Sequence, residues 1–173
     1  SKKQVRYLNK YLDAVNTNLF YSRKVMLVEG ISEKLLLPLF FKKITGNSTE
    51  KSSCCIINVN GLAFGNFLAI IRNGFFQKCL VLTDSDSKTQ TSQRPLDLKK
   101  EYESDLIKIQ ISDETTFEKD LIKANINGEG KAILIRTLLS VRKTSGKAFK
   151  TATGENDIDV ENFFSLIENY KSE

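Results

Sequence analysis

The sequence predicts an α/β fold, a sheet of about four mostly parallel strands flanked by helices and followed by a helical C-terminal part. Two observations carry this reading. Short apolar runs, Val25 to Val28, Cys55 to Val59 and Leu80 to Thr83, are bounded by turn residues and separated by stretches with helical spacing, which suits strands buried on both faces of a parallel sheet. Two of these runs end in acids, Glu29-Gly30 with Glu33 after the first and Asp84-Ser85-Asp86 after the third. In open α/β sheets ligands gather outside the carboxyl ends of strands, so both acidic motifs are expected at one edge.

Residues 1–22 place Val5, Leu8, Leu12, Val15 and Leu19 at helical spacing, which predicts a lead-in helix or linker before the first strand. Ser32 is the expected N-cap of the next helix, whose Leu35, Leu36, Leu39, Phe40 and Ile44 would cover one face of the sheet, with a kink at Pro38. The polar loop 46–53 leads to the second strand, and Gly61 marks a turn before a helix over 63–72. After the third strand, over 79–83, the Ser-, Thr- and Gln-rich stretch 85–95 reads as a mobile surface loop. A short helix over 98–104, a fourth strand over 106–111 and a helix opening near Thr115-Thr116-Phe117-Glu118 complete the alternation. Beyond Gly128 the periodicity is wholly helical, through Ile133, Leu134, Leu138 and Val141 and then Val160, Phe163, Phe164 and Ile167.

Composition narrows the chemistry. A chain of 173 residues with 40% hydrophobic residues fits one compact domain. No apolar stretch of membrane-spanning length and no signal-like leader is evident, so a soluble, cytoplasmic protein without membrane association is expected. Cys54, Cys55 and Cys79 are too poorly spaced for a zinc site or a disulfide framework and read as buried free thiols. With no histidine, imidazole acid-base chemistry is excluded, and oxygen ligands suited to Mg²⁺, Mn²⁺ or Ca²⁺ remain. The net charge of +5 is unevenly spread: Lys131, Arg136, Arg142, Lys143, Lys147 and Lys150 form an acid-free run, whereas 155–173 is rich in acids. That run reads either as a solvated helical face or as a phosphate-binding patch.

Four carboxylates at one edge would repel one another or take up protons unless cations balance them. Glu29 and Glu33 straddle a strand end and a first helical turn, and Asp84 and Asp86, two apart in an extended segment, would share a face. Together they supply ligands for one or two hard cations, and two such ions clamp the attacking and leaving oxygens of phosphoryl transfer. Glu118, on the helix after the fourth strand, could reach the same edge. Each motif alone has a plainer reading: Glu-Gly as a turn, Asp-x-Asp as a helix cap, Glu118 as an acid favoured by the helix dipole, and Lys147 as a solvated lysine.

Glu-Gly after strand one and Asp-x-Asp after strand three resemble a Toprim domain, the fold of topoisomerases, bacterial primases and several nucleases. The run from Arg6-Tyr7-Leu8 through Asn18 to Ser22, then Val25 to Val28, Glu29-Gly30-Ile31-Ser32-Glu33 and Leu37-Pro38, resembles the OLD (overcoming lysogenization defect) family of ATP-dependent nucleases, whose relatives include the Gabija anti-phage nucleases. Thr116-Phe117-Glu118 and Gly146-Lys147-Ala148-Phe149 fit the same family. The resemblance implies residues 23–173 as a Toprim catalytic domain. It implies Glu29, Glu33, Asp84, Asp86 and Glu118 as ligands of two Mg²⁺ or Mn²⁺ ions, with Glu29 and Lys147 catalytic. Lys147 would be the transition-state lysine, with Lys143 and Lys150 close enough to exchange roles. It further implies DNA as substrate, an ATPase domain of the same protein outside this fragment, and a homo-oligomer in the intact protein. Topoisomerase-type domains carry a glycine soon after Asp-x-Asp, where this chain has Ser87-Lys88-Thr89, and strand passage is therefore disfavoured.

Two alternatives compete with a metal-dependent endonuclease. A non-catalytic Toprim module would bind DNA or protein and use metal only for structure. A haloacid-dehalogenase-like phosphatase would use Asp84-Ser85-Asp86 as its nucleophile motif, although that motif normally sits on the first strand and has Thr or Val where Lys88 stands.

Overall fold

The computed structural model describes residues 19, 21–60, 64–87, 89–125, 130, 132, 133 and 137. Nearly all of the lead-in segment, the acid-free basic run with Lys143, Lys147 and Lys150, and the last predicted helix lie outside them. The chain divides into two compact units, Ser1–Phe117 and Glu118–Glu173.

In the first unit, β1 (Lys24–Val28), β2 (Cys54–Asn58), β3 (Lys78–Thr83) and β4 (Ile107–Ile111) form one parallel sheet in the order β2-β1-β3-β4. The helices that alternate with them are α1 (Ile31–Thr45), α2 (Phe64–Ile70) and α3 (Gln93–Tyr102), while α4 (Phe117–Asn125) follows β4. From β1 the chain first moves to β2 on one side and then to β3 on the other, so β1 and β3 flank the point where strand order reverses. A crevice at the carboxyl ends of such a pair is where open α/β sheets bind ligands.

The two faces of the sheet are not equally covered. Across the register, Val25, Cys55, Cys79 and Ile107 form one row and Leu27, Ile57, Val81 and Ile109 the next, all buried. Phe64, Phe67 and Leu68 of α2 and Ile71 of the π turn that follows it (Ile71–Phe75) join this core, and Leu98 and Tyr102 of α3 pack against it. Full burial contributes about 1.5–3 kcal/mol per aliphatic side chain, so this face holds the unit together. On the opposite face the row Met26, Ile56, Leu80 is half-buried and ends in the exposed Lys108. The expectation of strands buried on both faces is corrected accordingly.

The helices carry further corrections. Gly30, not Ser32, occupies the N-cap of α1, and no side chain caps that end. Of the predicted apolar face of α1, Leu36 and Phe40 are half-buried, whereas Leu35 and Leu39 are 65% and 64% exposed and Ile44 is 83% exposed, so the face covers the sheet only in part. The helix runs unbroken through Pro38 to Thr45 and ends at Gly46, whose left-handed φ of 73° lets its N–H reach the carbonyl of Lys42. The third helix starts at Gln93 rather than 98 because Pro95 falls in its first turn, where the missing N–H has no intrahelical partner to lose. Arg72 stacks 4.8 Å over the Tyr102 ring, tying the π turn to α3. Among the described residues no helix is long and apolar enough to cross a membrane.

Candidate functional site

The register pairs Val28 with Leu82, which sets Glu29, one residue past β1, level with Thr83 at the end of β3. The Thr83 hydroxyl donates to Glu29 Oε1 at 3.2 Å and the Asp84 N–H donates to Oε2 at 3.1 Å, so each carboxylate oxygen is held by β3. Thr83 is itself buried. Burial pushes the Glu29 carboxyl above the usual carboxylate range, and the charges of Asp86 and Glu33 push the same way, against the two hydrogen bonds. Glu29 therefore sits in an excess of negative charge.

Glu33, in the first turn of α1, is 5% exposed, which is rare for a carboxylate. Gly30 explains how it fits: a Cβ there would lie 2.8 Å from Glu33 Oε2. The glycine of the Glu-Gly motif thus makes room for the second glutamate of the same motif, with an extended backbone rather than a left-handed one.

Asp84 Oδ1 accepts the N–H of Phe117, the first residue of α4, at 2.8 Å. Asp86 takes a left-handed φ of 49°, a conformation that aspartate tolerates better than most residues, and the extended geometry that would align it with Asp84 ends there. The expected shared face of this pair is corrected. The Asp86 carbonyl accepts both the N–H and the hydroxyl of Thr89, at 3.0 and 2.7 Å, and its Oδ2 accepts the Thr91 hydroxyl at 2.7 Å. Within the predicted mobile loop 85–95, Thr89 and Thr91 are thus hydrogen-bonded back to Asp86. Ser85 donates through its N–H to Ser112 Oγ at 2.8 Å, and the hydroxyls of both serines donate to the Glu114 carbonyl, at 2.6 and 2.7 Å. These bonds staple the end of β3 to the end of β4. Nothing in the sequence signals them, because the partners are 27 to 29 residues apart and meet only once β3 and β4 pair.

A cleft of about 370 Å³ opens on this edge. It is lined by the polar Glu29, Thr83, Asp86 and Arg94 and by the apolar Phe64, Pro95 and Leu98. Arg94 was not singled out by the sequence reading, although Pro95 in a first helical turn is a signal that would have set its neighbour at a helix start. Glu118 lies in the first turn of α4, within the second unit. Lys147, Lys143 and Lys150 are outside the described residues.

Among the described residues no three acids are spaced to enclose a metal ion. The donor set still suits a hard divalent cation in kind: carboxylate oxygens without imidazole or thiolate, at an edge where Glu29 feels two further negative charges. All three cysteines are buried and free.

Residues 20–86 match the family described as Overcoming lysogenization defect protein-like, TOPRIM domain. The matched segment contains β1 to β3 with Glu29, Glu33, Asp84 and Asp86, so the similarity covers the stretch that builds the acidic edge. The fold resembles the C-terminal region of the Burkholderia pseudomallei OLD protein, with a TM-score of 0.58 and 21% identity over 87% of this chain and 82% of that one. It resembles equally the C-terminal region of the Xanthomonas campestris pv. campestris OLD protein, with a TM-score of 0.57 and 20% identity over 87% of this chain and 80% of that one. No curated protein sequence matches the chain.

Proposed function

We propose that this OLD-like Toprim chain is a metal-dependent endodeoxyribonuclease that hydrolyses DNA phosphodiesters at the β1/β3 edge. The observation that carries the reading is Glu29: half-buried at the strand-order switch, held by Thr83 and Asp84, and bordering a cleft beside Asp86. Glu29, Glu33, Asp84 and Asp86 would hold one or two Mg²⁺ or Mn²⁺ ions, which when bound supply an activated water and a counter-charge for the phosphate; the family resemblance implies Glu118 as a further ligand.

The chain's own residues prepare that site. Thr83 and the Asp84 amide fix both Glu29 oxygens, so little reorganisation is left for catalysis. Gly30 leaves the space that Glu33 occupies. The turn from Asp86 to Thr91 holds Asp86 in place, and the Ser85, Ser112 and Glu114 bonds keep that turn against β4. Phe64, Pro95 and Leu98 give the cleft a partly dry wall, which strengthens electrostatic contacts within it. The family resemblance implies Lys147 as a further catalytic residue, a cation that would offset charge developing on the phosphate.

The test is conversion of supercoiled plasmid by the purified chain in Mg²⁺ or Mn²⁺, alongside Glu29→Gln and Lys147→Ala. Nicked or linear product from the native chain, absent from Glu29→Gln and strongly reduced in Lys147→Ala, is expected. Cleavage that survives in Glu29→Gln would assign the activity to another site or to a contaminant. DNA binding without cleavage in either metal, repeated with the full-length protein, would replace the nuclease by a binding module.

A further inference from the structure

We infer that Arg94 is a substrate-contacting residue of this cleft, where its guanidinium takes a non-bridging phosphate oxygen of the DNA strand; the inference rests on the nuclease reading and deepens it. Arg94 is exposed and shares the cleft wall with Glu29 and Asp86. A cation beside two carboxylates would ordinarily pair with one of them, and among the described residues Arg94 makes no ion pair. Asp86 Oδ2 is instead occupied by Thr91, and both Glu29 oxygens accept from β3. Among the described residues the guanidinium donates no hydrogen bond either, so its donors remain for something else in the cleft.

The backbone holds Arg94 at that position independently of its side chain. Asp86 accepts from Thr89 and Thr91, the Thr91 carbonyl accepts the Arg94 N–H at 2.9 Å, and Pro95 is buried in the first turn of α3. One run of hydrogen bonds therefore sets the spacing between an acid of the site and this arginine. Planar, always charged and bidentate, guanidinium matches two phosphate oxygens better than a lysine ammonium does. The substrate carries a phosphate on either side of the scissile one, and the acidic edge has no attraction of its own for them. A cation lining the same cleft supplies it.

The experiment measures binding of a fluorescein-labelled duplex of mixed sequence across a range of KCl concentrations. Glu29→Gln serves as the non-cleaving background, with and without Arg94→Ala or Arg94→Lys. Mn²⁺ uptake and unfolding temperature are measured in the otherwise native background. Arg94→Ala is expected to weaken DNA binding about tenfold and to lower the slope of log affinity against log salt by about one phosphate contact. Mn²⁺ uptake and unfolding temperature should be unchanged, and Arg94→Lys should restore the salt slope but only part of the affinity. In plasmid cleavage the same loss should appear in KM more than in kcat.

Unchanged affinity and salt slope in Arg94→Ala, while the native chain still cuts plasmid, would overturn the arginine assignment and leave the nuclease reading intact. Tighter Mn²⁺ uptake with unchanged DNA binding would also overturn it, making Arg94 an internal counter-charge for the acids. A native chain that neither binds nor cuts DNA would overturn both.

Discussion

The same three strands bury acids at both ends, with opposite consequences. At the amino end of the sheet, Cys54 opens β2, and Val25 of β1 pairs with Cys55 on one side and Cys79 on the other. Burial pushes the Cys79 thiol up to about 12 and the Cys54 thiol up to about 11, and raises Cys55 as well. At the carboxyl end, burial likewise raises Glu29, but Thr83 and the Asp84 amide donate to its charged form and a cleft opens beside it. Among the thiols, Cys54 Sγ meets the carbonyl of Cys55, an acceptor that favours the protonated form. For Cys54 and Cys79, burial without donors for the anion makes an inert core group. Burial with donors for the anion and an open side makes a candidate ligand.

Substitutions can sharpen or break this contrast. Removing the central charge has the largest expected effect: Glu29→Gln should lower plasmid cleavage by two orders of magnitude or more, on the order of losing one preorganised transition-state group. Asp84→Ala should abolish cleavage too, and should in addition destabilise the fold by about 1–2 kcal/mol in urea unfolding, because the Phe117 amide loses its acceptor. Gly30→Ala should displace the Glu33 carboxylate rather than the backbone, weakening Mn²⁺ uptake roughly tenfold. Its urea midpoint should shift little, and an unchanged Mn²⁺ affinity would show that Glu33 is not a ligand. Thr83→Val keeps the shape of a buried residue and removes one donor to Glu29, which should cost about 1 kcal/mol of stability and lower cleavage a few-fold.

The smallest effect belongs to the amino end. Native protein should resist iodoacetamide at pH 8, with alkylation of all three thiols appearing only in denaturant. Cys54 and Cys79 hold their protons more tightly folded than unfolded. Their contribution to stability is thus fully present below the ordinary thiol value of 9.0 and is lost as pH rises through about 11 and about 12. Replacing both with Ser should flatten the loss of stability over that alkaline window. Rapid native alkylation at pH 8 would remove the contrast between the two ends.

The acidic edge was legible because Glu29 and Asp84 each follow directly from an apolar run whose length and turn residues mark a strand end. Which strands neighbour each other was not written in those runs, yet the β2-β1-β3-β4 order is what sets Glu29 level with Thr83. The sequence misled where apolar periodicity has two possible partners: Leu35 and Leu39 repeat as a core face but remain exposed. Polarity misled over residues 85–95, since Ser and Thr side chains that look solvated serve as donors within turns and, at Gln93, give way to a helix start. Arg94 escaped notice for the same reason. Its importance depends on a cleft wall assembled from residues as distant in sequence as Glu29 and Leu98.

The central claim is that the β1/β3 edge holds a divalent cation through Glu29, and Mn²⁺ titration followed by electron paramagnetic resonance tests it without relying on turnover. The native chain should take up Mn²⁺ in competition with Mg²⁺, and Glu29→Gln should lose that uptake while unfolding at a temperature close to the native one. Equal Mn²⁺ uptake by the native chain and by folded Glu29→Gln would contradict the claim.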